Sequence, residues 1–557
     1  MVKKSSSAIK RLTGLLKLDR KDILQLFYYA IFAGLLNMAV PLGIQAIVNL
    51  IQGGSVSTSW IILVVLVTVA VGLVGLLEIM QIRIVENIQQ KIFTRSSFEF
   101  TYRFPRIKMA EFTDIYPPEL ANRFFDTLNV QKGITKLLLD FPAALLQILF
   151  GLILLSLYHP FFIIYGILLV LLIYLVFKFT AWRGLETSLD ESKHKYKVAH
   201  WLQEVARSLL SFKISGNSNL PMEKNDQLTE KYLKARESHF KILRIQYVKM
   251  VLFKVLVTAG LLAIGGLLVL NQEMNIGQFV AAEIIILLIL SSVERLIKGL
   301  DVIYDTLTSL EKMGQVVDKE LESKEGRNKM YDSSPLNLEV TQVGYKVGKN
   351  TILRDISFEL KAGEKVLLKG PNGSGRTSLI KLLAGINEIT QGNIYVNNVS
   401  LNGIKLNDYR KRLGVFIAEE FPFEGTLLEN ITFGDPLVSE KDVYWAIEHA
   451  GLSQFVKEQP NGIHTNILPE GKYLSSLIGK KIILARCIVR KPDILLLKEP
   501  LELFDSAEST RILEFLTNPV HKWSILVASQ DPVWENMCDK IVHLENSTDN
   551  LKNRDNA

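Results

Sequence analysis

A glycine-rich segment in the second half of the chain has the residue types and spacing of a phosphate-binding loop. It reads GPNGSGRTS and comprises Gly370, Pro371, Asn372, Gly373, Ser374, Gly375, Arg376, Thr377 and Ser378. The segment fits the pattern G-x-x-x-x-G-K-[ST], except that Arg376 stands where lysine is expected. Backbone amides in such a loop, together with the N-terminus of a following helix, form a site for an anion. We therefore predict that this loop binds phosphate groups.

The elements around the loop support this prediction. The apolar run KVLLK predicts a strand that ends at Gly370, and the run after the loop, SLIKLLAGI, predicts an amphipathic helix. A strand before and a helix after are the context that this motif requires. Alternation from LNLEVTQVGY onward predicts further strands. We expect an α/β domain of P-loop type over residues 336–547, after a charged linker at 316–335 and before a polar tail at 548–557.

The first half of the chain contains the long apolar runs. Of the 557 residues, 48% are hydrophobic and the mean hydropathy is +0.21, which is high for a soluble protein of this length. A helix needs about 20 apolar residues to cross a bilayer. Six stretches meet this need, at residues 23–51, 59–82, 137–158, 161–181, 251–270 and 276–296. We predict a membrane domain over residues 21–315, after a lead-in at 1–20, with long loops at about 83–136 and 182–249.

Charge predicts how these spans are oriented. The short links QGGSVSTS, YHPF and NQEMN contain no lysine or arginine, whereas the N-terminus and both long loops are rich in them. By the positive-inside rule, we expect the N-terminus, both long loops and the second half of the chain to be cytoplasmic. The same rule accounts for the net charge of +7, so no nucleic-acid partner is expected. Cys487 and Cys538 are predicted to be small buried residues in a reducing compartment.

Polar residues inside apolar spans are costly and therefore informative. Glu283 lies about 10 Å into the sixth span from its outer end, at about 1.5 Å rise per residue. Either a polar translocation cavity or a structural hydrogen bond accounts for it. Lys254 lies near the cytoplasmic end of the fifth span, where we expect it to reach the interface by snorkelling. Pro41 in the first span predicts a kink, because proline removes a helix hydrogen bond.

Together these features resemble the ATP-binding-cassette (ABC) family, specifically its exporters with six spans in each half. PPELANRFFDTL is similar to the segment that follows the coupling helix in their first cytoplasmic loop, and NQEMNIGQFVAA to the entry of their sixth span. The resemblance is closest to bacterial type I secretion and peptide exporters. The implied fold is a multi-domain integral membrane protein. A six-helix all-α transmembrane domain of ABC exporter type is followed by an α/β P-loop NTPase-like nucleotide-binding domain, here a degenerate one.

The resemblance implies roles for the residues around the phosphate loop. Tyr345 matches the aromatic residue that stacks on adenine, and Thr377 supplies the hydroxyl expected to contact magnesium. Glu499, in the run ILLLKEP, stands at the position of the base that polarises the attacking water. Arg376 replaces the lysine that reaches the terminal phosphates, and its wider planar fork changes the fit to the transition state. Ser529 stands where a histidine is expected after the strand SILVA.

Two further positions depart from the family pattern where magnesium is handled. Ala418 stands where a glutamine senses magnesium, and its neighbours Glu419 and Glu420 are candidates to replace that glutamine. Lys498 stands where an aspartate holds the metal's water shell, so the charge at this position is reversed. We expect Lys498 either to neutralise phosphates directly or to pair with Glu499.

The loop that meets the partner's nucleotide across an ABC dimer is LSGGQ in the family and LSSLI in this chain. Leu474 and Ser475 are retained, whereas Ser476, Leu477 and Ile478 replace the two glycines and the glutamine. The glycines permit close approach of the backbone to the phosphate. The departures therefore affect both this chain's own half-site and the loop that it offers to a partner.

These departures predict a cassette that does not hydrolyse ATP, because one lost transition-state contact often costs about 100- to 1,000-fold in rate. We expect a dimeric non-hydrolytic transporter, scaffold or regulatory component of a transport or secretion system. The alternative is an ATP-driven exporter with atypical active-site residues. ATP is expected as a bound ligand only, and no intact magnesium site is expected. The implied partners are the bacterial inner membrane, a second ABC half-transporter in a homodimer or heterodimer, and a membrane-fusion or periplasmic protein.

Overall fold

A computed structural model of the chain describes residues 2–53, 58–113, 115–323 and 335–545. The chain divides into two compact units. The helical unit comprises Met1–Pro105 and Ile115–Lys319, and the α/β unit comprises Arg106–Asp114 and Glu320–Ala557. Residues 324–334 of the predicted linker and the whole predicted tail at 548–557 lie outside the described residues.

The helical unit is built from long helices, because its apolar runs continue into polar helical sequence. Its helices are α1 Val2–Leu18, α2 Arg20–Asn37, α3 Ala39–Gln52, α4 Thr58–Arg103, α5 Pro117–Ala121, α6 Asp126–Thr135, α7 Phe141–Ser156, α8 Phe161–Arg207, α9 Leu209–Ile214, α10 Leu220–Leu270 and α11 Ile276–Val317. Four of them, α4, α8, α10 and α11, have 42 to 51 residues. At 1.5 Å per residue they extend about 60–75 Å, roughly twice the hydrocarbon thickness of a bilayer. The spans therefore continue as helices into the predicted long loops.

Five helical stretches in the described residues are long and apolar enough to cross a membrane. They are Arg20–Gln52, Thr58–Arg106, Pro117–Ser156, Leu220–Leu270 and Ile276–Val317. These stretches contain the first, second, fifth and sixth predicted spans and nearly all of the third. The fourth predicted span lies at the start of α8, where Phe161–Tyr174 forms a shorter apolar helix and the side chains of 175–177 and 179–181 are outside the described residues.

The predicted kink in the first span is present as a break between two helices. α2 ends at Asn37 and α3 begins at Ala39, two residues before Pro41. A proline ring clashes with the carbonyl four residues earlier, which here belongs to Asn37. The proline therefore accounts for the position of the break.

Lys254 forms an ion pair with Glu294 on α11. Glu294 also binds Lys298 at 2.6 Å, so two ammonium groups share one carboxylate. The sequence did not indicate this ion pair, because the prediction considered Lys254 on its own helix only. Snorkelling of Lys254 to the interface stays a prediction. Glu283 is half-buried, and its side chain has no hydrogen-bond partner among the described residues. The structural hydrogen bond considered for Glu283 is therefore not found there.

The α/β unit contains two larger sheets and a short two-stranded one. A parallel sheet has the strand order β11-β3-β10-β9-β6, an antiparallel sheet the order β2-β1-β4-β5, and β7 pairs with β8. The strands are β1 Leu338–Val347, β2 Asn350–Leu360, β3 Lys365–Lys369, β4 Gln391–Val396, β5 Val399–Ser400, β6 Leu413–Ile417, β7 Gly425–Thr426, β8 Asn466–Ile467, β9 Ile494–Lys498, β10 Ser524–Ala528 and β11 Lys540–His543. The helices are α12 Arg376–Leu383, α13 Leu406–Arg410, α14 Leu427–Thr432, α15 Glu440–His449, α16 Ser453–Glu458, α17 Ser476–Ile488 and α18 Ser506–Thr517.

The parallel sheet brings the predicted site residues to one edge. Strands β3, β6, β9 and β10 are buried apolar runs, as expected for a sheet covered on both faces. Their carboxyl ends lie at the same edge of the sheet, which is where open α/β sheets bind ligands. Gly370, Ala418, Glu499 and Ser529 each directly follow one of these strands. Residues from four distant parts of the sequence are thereby placed next to one another.

A short segment from the first half of the chain belongs to the α/β unit. Within Arg106–Asp114, Ile107 forms an antiparallel bridge with Leu321 and is almost fully buried. Lys108 binds Glu320 at 2.8 Å and Glu388 at 2.9 Å. The α/β unit is therefore completed by a segment that the sequence assigned to the first long loop.

Candidate functional site

The phosphate loop has a backbone that glycine makes accessible. Gly373 and Gly375 have φ angles of +87° and +88°, in the left-handed region that favours glycine. A Cβ on Gly370 would lie 2.6 Å from the carbonyl oxygen of Leu544, and one on Gly375 would lie 2.6 Å from Cδ2 of Leu353. At Gly373 no atom lies within 4 Å of such a Cβ. The loop is therefore packed on its protein side at Gly370 and Gly375 and open at Gly373.

Ser374 supports the fit of a phosphate group to this loop. Its side chain is 1% exposed, and its hydroxyl has no hydrogen-bond partner among the described residues. An unpaired buried polar group costs about 1–3 kcal/mol, so such groups are rare unless a ligand satisfies them. The Ser374 hydroxyl lies 2.7 Å from the position of a Cβ on Gly370, across the loop. α12 begins directly after, at Arg376, and Thr377 and Ser378 lie half-buried in its first turn.

Tyr345 is separated from the phosphate loop by one residue, Leu353. It pairs with Leu353 across β1 and β2, and the side chain of Leu353 contacts Gly375. The ring of Tyr345 is half-buried against the core of the unit, and burial raises the pKa of its hydroxyl. An aromatic face beside a phosphate loop fits the stacking of a nucleotide base.

The arginine of the loop is bound to the carboxylate at the end of β9. Nη1 of Arg376 donates to Oε1 of Glu499 at 3.0 Å, and Nη2 donates to Oδ1 of Asn372 at 3.1 Å. The Arg376 side chain is 8% exposed and that of Glu499 is 23% exposed. The guanidinium group thus ties the phosphate loop to Glu499 and neutralises its charge.

Glu499 is held on its second oxygen as well. Oε2 accepts a hydrogen bond from the Ser529 hydroxyl at 2.7 Å and a longer one from the backbone amide of Gln530 at 3.4 Å. The Glu499 backbone has a φ of +44°, which is unfavourable for a side chain with a Cβ, and its amide donates to the Ala528 carbonyl at 2.9 Å. Gln530 also donates to Oδ1 of Asn372 at 3.2 Å. Both oxygens of the carboxylate are therefore engaged by the protein itself.

Lys498 forms an ion pair with Glu419, on the loop after β6. Of the two sequence-based alternatives, pairing with Glu499 is therefore wrong. β6 and β9 are parallel neighbours with Ile417 opposite Lys498, so the residues that follow their ends lie side by side. Burial raises the pKa of Glu419, but the hydrogen bond from Lys498, a backbone hydrogen bond and the charges of Lys498 and Lys381 together outweigh it, so this pKa is lowered overall. Glu419 binds the substituted lysine and is not free to act as the missing glutamine.

The other two residues near the missing glutamine do not replace it either. Ala418 packs against the apolar core. Glu420 lies 3.9 Å from the Arg486 guanidinium, and burial raises the pKa of its carboxyl group. A carboxyl group that faces an arginine is a poor ligand for a divalent cation.

The residues present do not fit magnesium. The metal prefers carboxylate oxygens, but the expected aspartate is Lys498, whose ammonium repels a cation. Glu499 is bound by Arg376 and Ser529, and Glu419 by Lys498. Among the described residues no cluster of three histidine, cysteine, aspartate or glutamate side chains is arranged to hold a metal. Thr377 is the remaining hydroxyl from the predicted metal contacts.

The segment LSSLI begins α17 and faces its own unit. Ser475 caps the helix, with its hydroxyl accepting from the amide of Ile478 at 3.2 Å. Leu474 and Ile478 pack against the apolar core of the unit, and Ser476 is exposed. Leu477 is half-buried. Within the described residues, no hydrogen bond or ion pair joins this segment to the phosphate loop, so the two are separate surfaces of one chain.

The two ion pairs were not found from the sequence. Arg376 and Glu499 are 123 residues apart, and Lys498 and Glu419 are 79 apart. One sequence signal could have indicated these pairs. At the ends of strands predicted to be parallel, a basic residue replaces the residue of the family pattern and an acidic residue follows a neighbouring strand. Gln530, which bridges Asn372 and Glu499, carried no sequence signal at all.

Two family models match the chain. Residues 353–502 match the model described as "ABC transporter", and residues 23–293 match "ABC transporter transmembrane region". A solved structure of a bacterial Atm1-family ABC exporter with ATP bound superposes with a TM-score of 0.85 at 17% identity, over 96% of this chain and 97% of the other. At that identity the likeness shows the fold alone.

Curated relatives match shorter parts of the chain. The uncharacterized ABC transporter ATP-binding protein YwjA of Bacillus subtilis (strain 168) is 31% identical over 36% of this chain and 34% of its own length. The putative multidrug export ATP-binding/permease protein YgaD of the same organism is 24% identical over 52% and 50%. The mitochondrial iron-sulfur clusters transporter ABCB7 of Oryzias latipes is 30% identical over 32% and 24%. The matches span about a quarter to a half of the length of these relatives.

The family models follow the two units of the fold. The transmembrane model falls on residues of the helical unit and nine residues of the α/β unit. The transporter model falls on the phosphate loop and strands β3 to β9, and β10 and β11 lie beyond it. An all-helical transmembrane region and a cassette in one polypeptide define a half-transporter. This chain is an ABC exporter half-transporter.

Proposed function

We propose that this chain is a pseudo-ATPase half-transporter: it binds ATP through its cassette but does not hydrolyse it. The observation that carries the proposal is the state of Glu499, whose two oxygens are bound by Arg376 and Ser529. A general base must have a free oxygen within reach of the attacking water. In Glu499 the guanidinium of Arg376 and the hydroxyl of Ser529 occupy these oxygens.

The second ion pair supports the same conclusion. Lys498 stands where the metal-holding aspartate is expected, and it has its own carboxylate partner in Glu419. Removal of a single preorganised contact to the transition state costs about 100- to 1,000-fold in rate. Such effects are not additive, but the loss of metal support and of a free base leaves little of the chemistry intact.

A half-transporter of this kind functions as a dimer in the membrane. We propose that the chain pairs with a second copy or with another ABC half-transporter and acts as a non-hydrolytic transporter, scaffold or regulatory subunit. The altered segment LSSLI supports a role without turnover at either nucleotide site. A bacterial inner-membrane location, with cytoplasmic N-terminus and cassette, and a membrane-fusion or periplasmic partner in a secretion system remain predictions from the sequence.

The test is magnesium-dependent ATP hydrolysis by the purified full-length protein in nanodiscs. We expect phosphate release at the background rate, equal for the wild type and for Glu499→Gln. A wild-type rate that Glu499→Gln abolishes would instead establish the alternative, an ATP-driven exporter with atypical active-site residues. The alternative is favoured by one observation, the retention of Glu499, Thr377 and the phosphate loop.

A further inference from the structure

We propose that the cassette binds nucleotide without magnesium, because the ammonium group of Lys498 takes the place of the metal. This inference rests on the proposed function, because it requires that the cassette binds nucleotide. It adds whether the nucleotide binds with or without a magnesium ion. The ligand is a free nucleoside triphosphate and not its magnesium complex.

The charge of the substitution matches the charge of the absent metal. Replacing an aspartate with a lysine changes the charge at one position by two units, which is the charge of a divalent cation. The residues at 376, 418, 498 and 499 together carry one net positive charge in this chain. With lysine, glutamine, aspartate and glutamate there, they would carry one net negative charge, and a bound divalent cation would bring it to one net positive. The protein reaches the same charge without the metal.

Lys498 is placed where it can act on phosphates. The next residue, Glu499, is within 3.0 Å of the phosphate-loop arginine. α12, which begins in the phosphate loop, packs against β9, which ends at Lys498. Lys381 of α12 also exerts an electrostatic effect on Glu419, the partner of Lys498. Ile494 and Leu496 of β9 pack in the core that contains Leu379 of α12. Alternate residues of a strand share a face, so Lys498 is on the face of the sheet that α12 covers.

The partner of Lys498 is one that a phosphate can displace. The Lys498 side chain is 17% exposed, whereas that of Glu419 is 61% exposed. An exposed carboxylate on a loop competes weakly for a lysine, because water screens the pair and solvates the released acid. The triphosphate carries more negative charge than the carboxylate, so we expect Lys498 to exchange Glu419 for phosphate oxygens when nucleotide binds.

Magnesium should oppose this binding. A metal ion on the phosphates would add two positive charges beside Arg376 and Lys498, whereas Glu499 is held by Arg376 and the released Glu419 is exposed to water. It would also neutralise the oxygens that Lys498 is placed to bind. The magnesium complex is therefore the weaker ligand, the reverse of what an aspartate at position 498 would give.

The experiment measures the dissociation constant of ATP for the full-length protein in nanodiscs by isothermal titration calorimetry, in excess EDTA and in excess magnesium chloride at equal ionic strength. For the wild type we expect tighter binding in EDTA, by about tenfold, the size of one modest charge interaction. For Lys498→Asp we expect the order to reverse. For Glu419→Gln we expect tighter binding in EDTA than the wild type shows, since Lys498 no longer has a competing partner.

Lys522→Asp is the matched control, because Lys522 is an exposed lysine that precedes β10 at the opposite edge of the sheet. It changes the net charge as much as Lys498→Asp does, and we expect it to leave the preference for EDTA unchanged. Tighter wild-type binding in magnesium, or equal binding in the two conditions, would overturn the inference while leaving the proposed function intact. No binding in either condition would overturn the ATP binding of the proposed function as well. Magnesium-dependent hydrolysis would overturn the proposed function itself. If Lys498→Asp fails to fold, the wild type and Glu419→Gln still decide the question.

Discussion

Arg376 and Lys498 each place a cation where an ATP-hydrolysing cassette would have a different group, and each is paired with a carboxylate. Arg376 takes Glu499, and Lys498 takes Glu419. The two pairs differ in burial, since the first is largely shielded and the second has an exposed acid. Shielding makes the first pair the stronger, because the field between charges is less screened. In the proposed function the buried pair occupies the base, and in the further proposal the exposed pair provides a lysine for phosphate.

The ion pair between Lys498 and Glu419 predicts that the stability it contributes depends on pH. The pKa of Glu419 lies below its ordinary value in the folded protein. A depressed carboxyl pKa gives stability above the unfolded pKa, and that stability is lost as the pH falls through the folded pKa. We therefore expect the difference in melting temperature between the wild type and Glu419→Gln to be constant near neutral pH. It should shrink as the pH falls below about 4.5. A difference that grows on acidification would contradict the pairing.

Two glycine substitutions, one in the phosphate loop and one outside it, distinguish the effect of backbone strain from that of packing. Gly375→Ala places a Cβ 2.6 Å from Leu353 and in a left-handed backbone, whereas Gly363→Ala, at φ +77°, meets open space. Both changes should cost about 1–2 kcal/mol from the left-handed conformation. Gly375→Ala alone should also distort the loop and remove the thermal stabilisation that ATP gives. Equal responses of the two variants to ATP would show that the loop is not the binding site.

At the scale of elements, much of the α/β unit is readable from sequence because its signals are local. The run KVLLK, the glycines and the amphipathic run after them predict a strand, a loop and a helix, and β3, the loop and α12 follow in that order. The partners of Arg376 and Lys498 are not local. They depend on the strand order β3-β10-β9-β6, which places residues 79 to 123 positions apart side by side. No periodicity in the sequence reports that order.

The helical unit shows the same limit. Hydropathy predicts where spans lie, because burial in lipid needs a continuous apolar run. It does not report that Lys254 of α10 meets Glu294 of α11, since that depends on which helix faces which. Pro41 is the exception, because proline disrupts a helix wherever it stands. Its effect is seen in the break between α2 and α3.

At the scale of the whole molecule, the α/β unit is not a contiguous piece of sequence. The segment around Ile107 joins it from the first half of the chain by a β-bridge to Leu321. Ile107 is 3% exposed, whereas Met109, two residues on, is 42% exposed. The segment is therefore a structural part of the unit, and its burial is concentrated in one side chain.

We expect Ile107→Ala to destabilise the α/β unit by about 2–5 kcal/mol, the usual cost of emptying a buried isoleucine site. Met109→Ala is the matched control and should be close to neutral, because its side chain is already exposed. Thermal unfolding followed by tryptophan fluorescence, with limited proteolysis to identify the unit that opens, measures the effect. Similar behaviour of the two variants would mean that the segment contributes nothing to the unit.

The two-sided change to the cassette also belongs to the whole molecule. The ion pairs lie in this chain's own half-site, and LSSLI stands at the position of the loop that the family resemblance assigns to the partner's nucleotide. A dimer of identical chains would contain both changes at each site. A dimer with an intact half-transporter would still contain one altered loop. The proposed absence of turnover therefore does not depend on which partner the chain has.

Glu499, bound by Arg376 and Ser529, is proposed not to support the cleavage of ATP. A single-turnover experiment with the full-length protein in excess over γ-labelled ATP, in magnesium, tests this most directly, because one slow cleavage per site is detectable. We predict that the label stays on ATP at the rate of a protein-free sample, with no difference between the wild type and Glu499→Gln. Release of labelled phosphate by the wild type that Glu499→Gln abolishes would contradict the account.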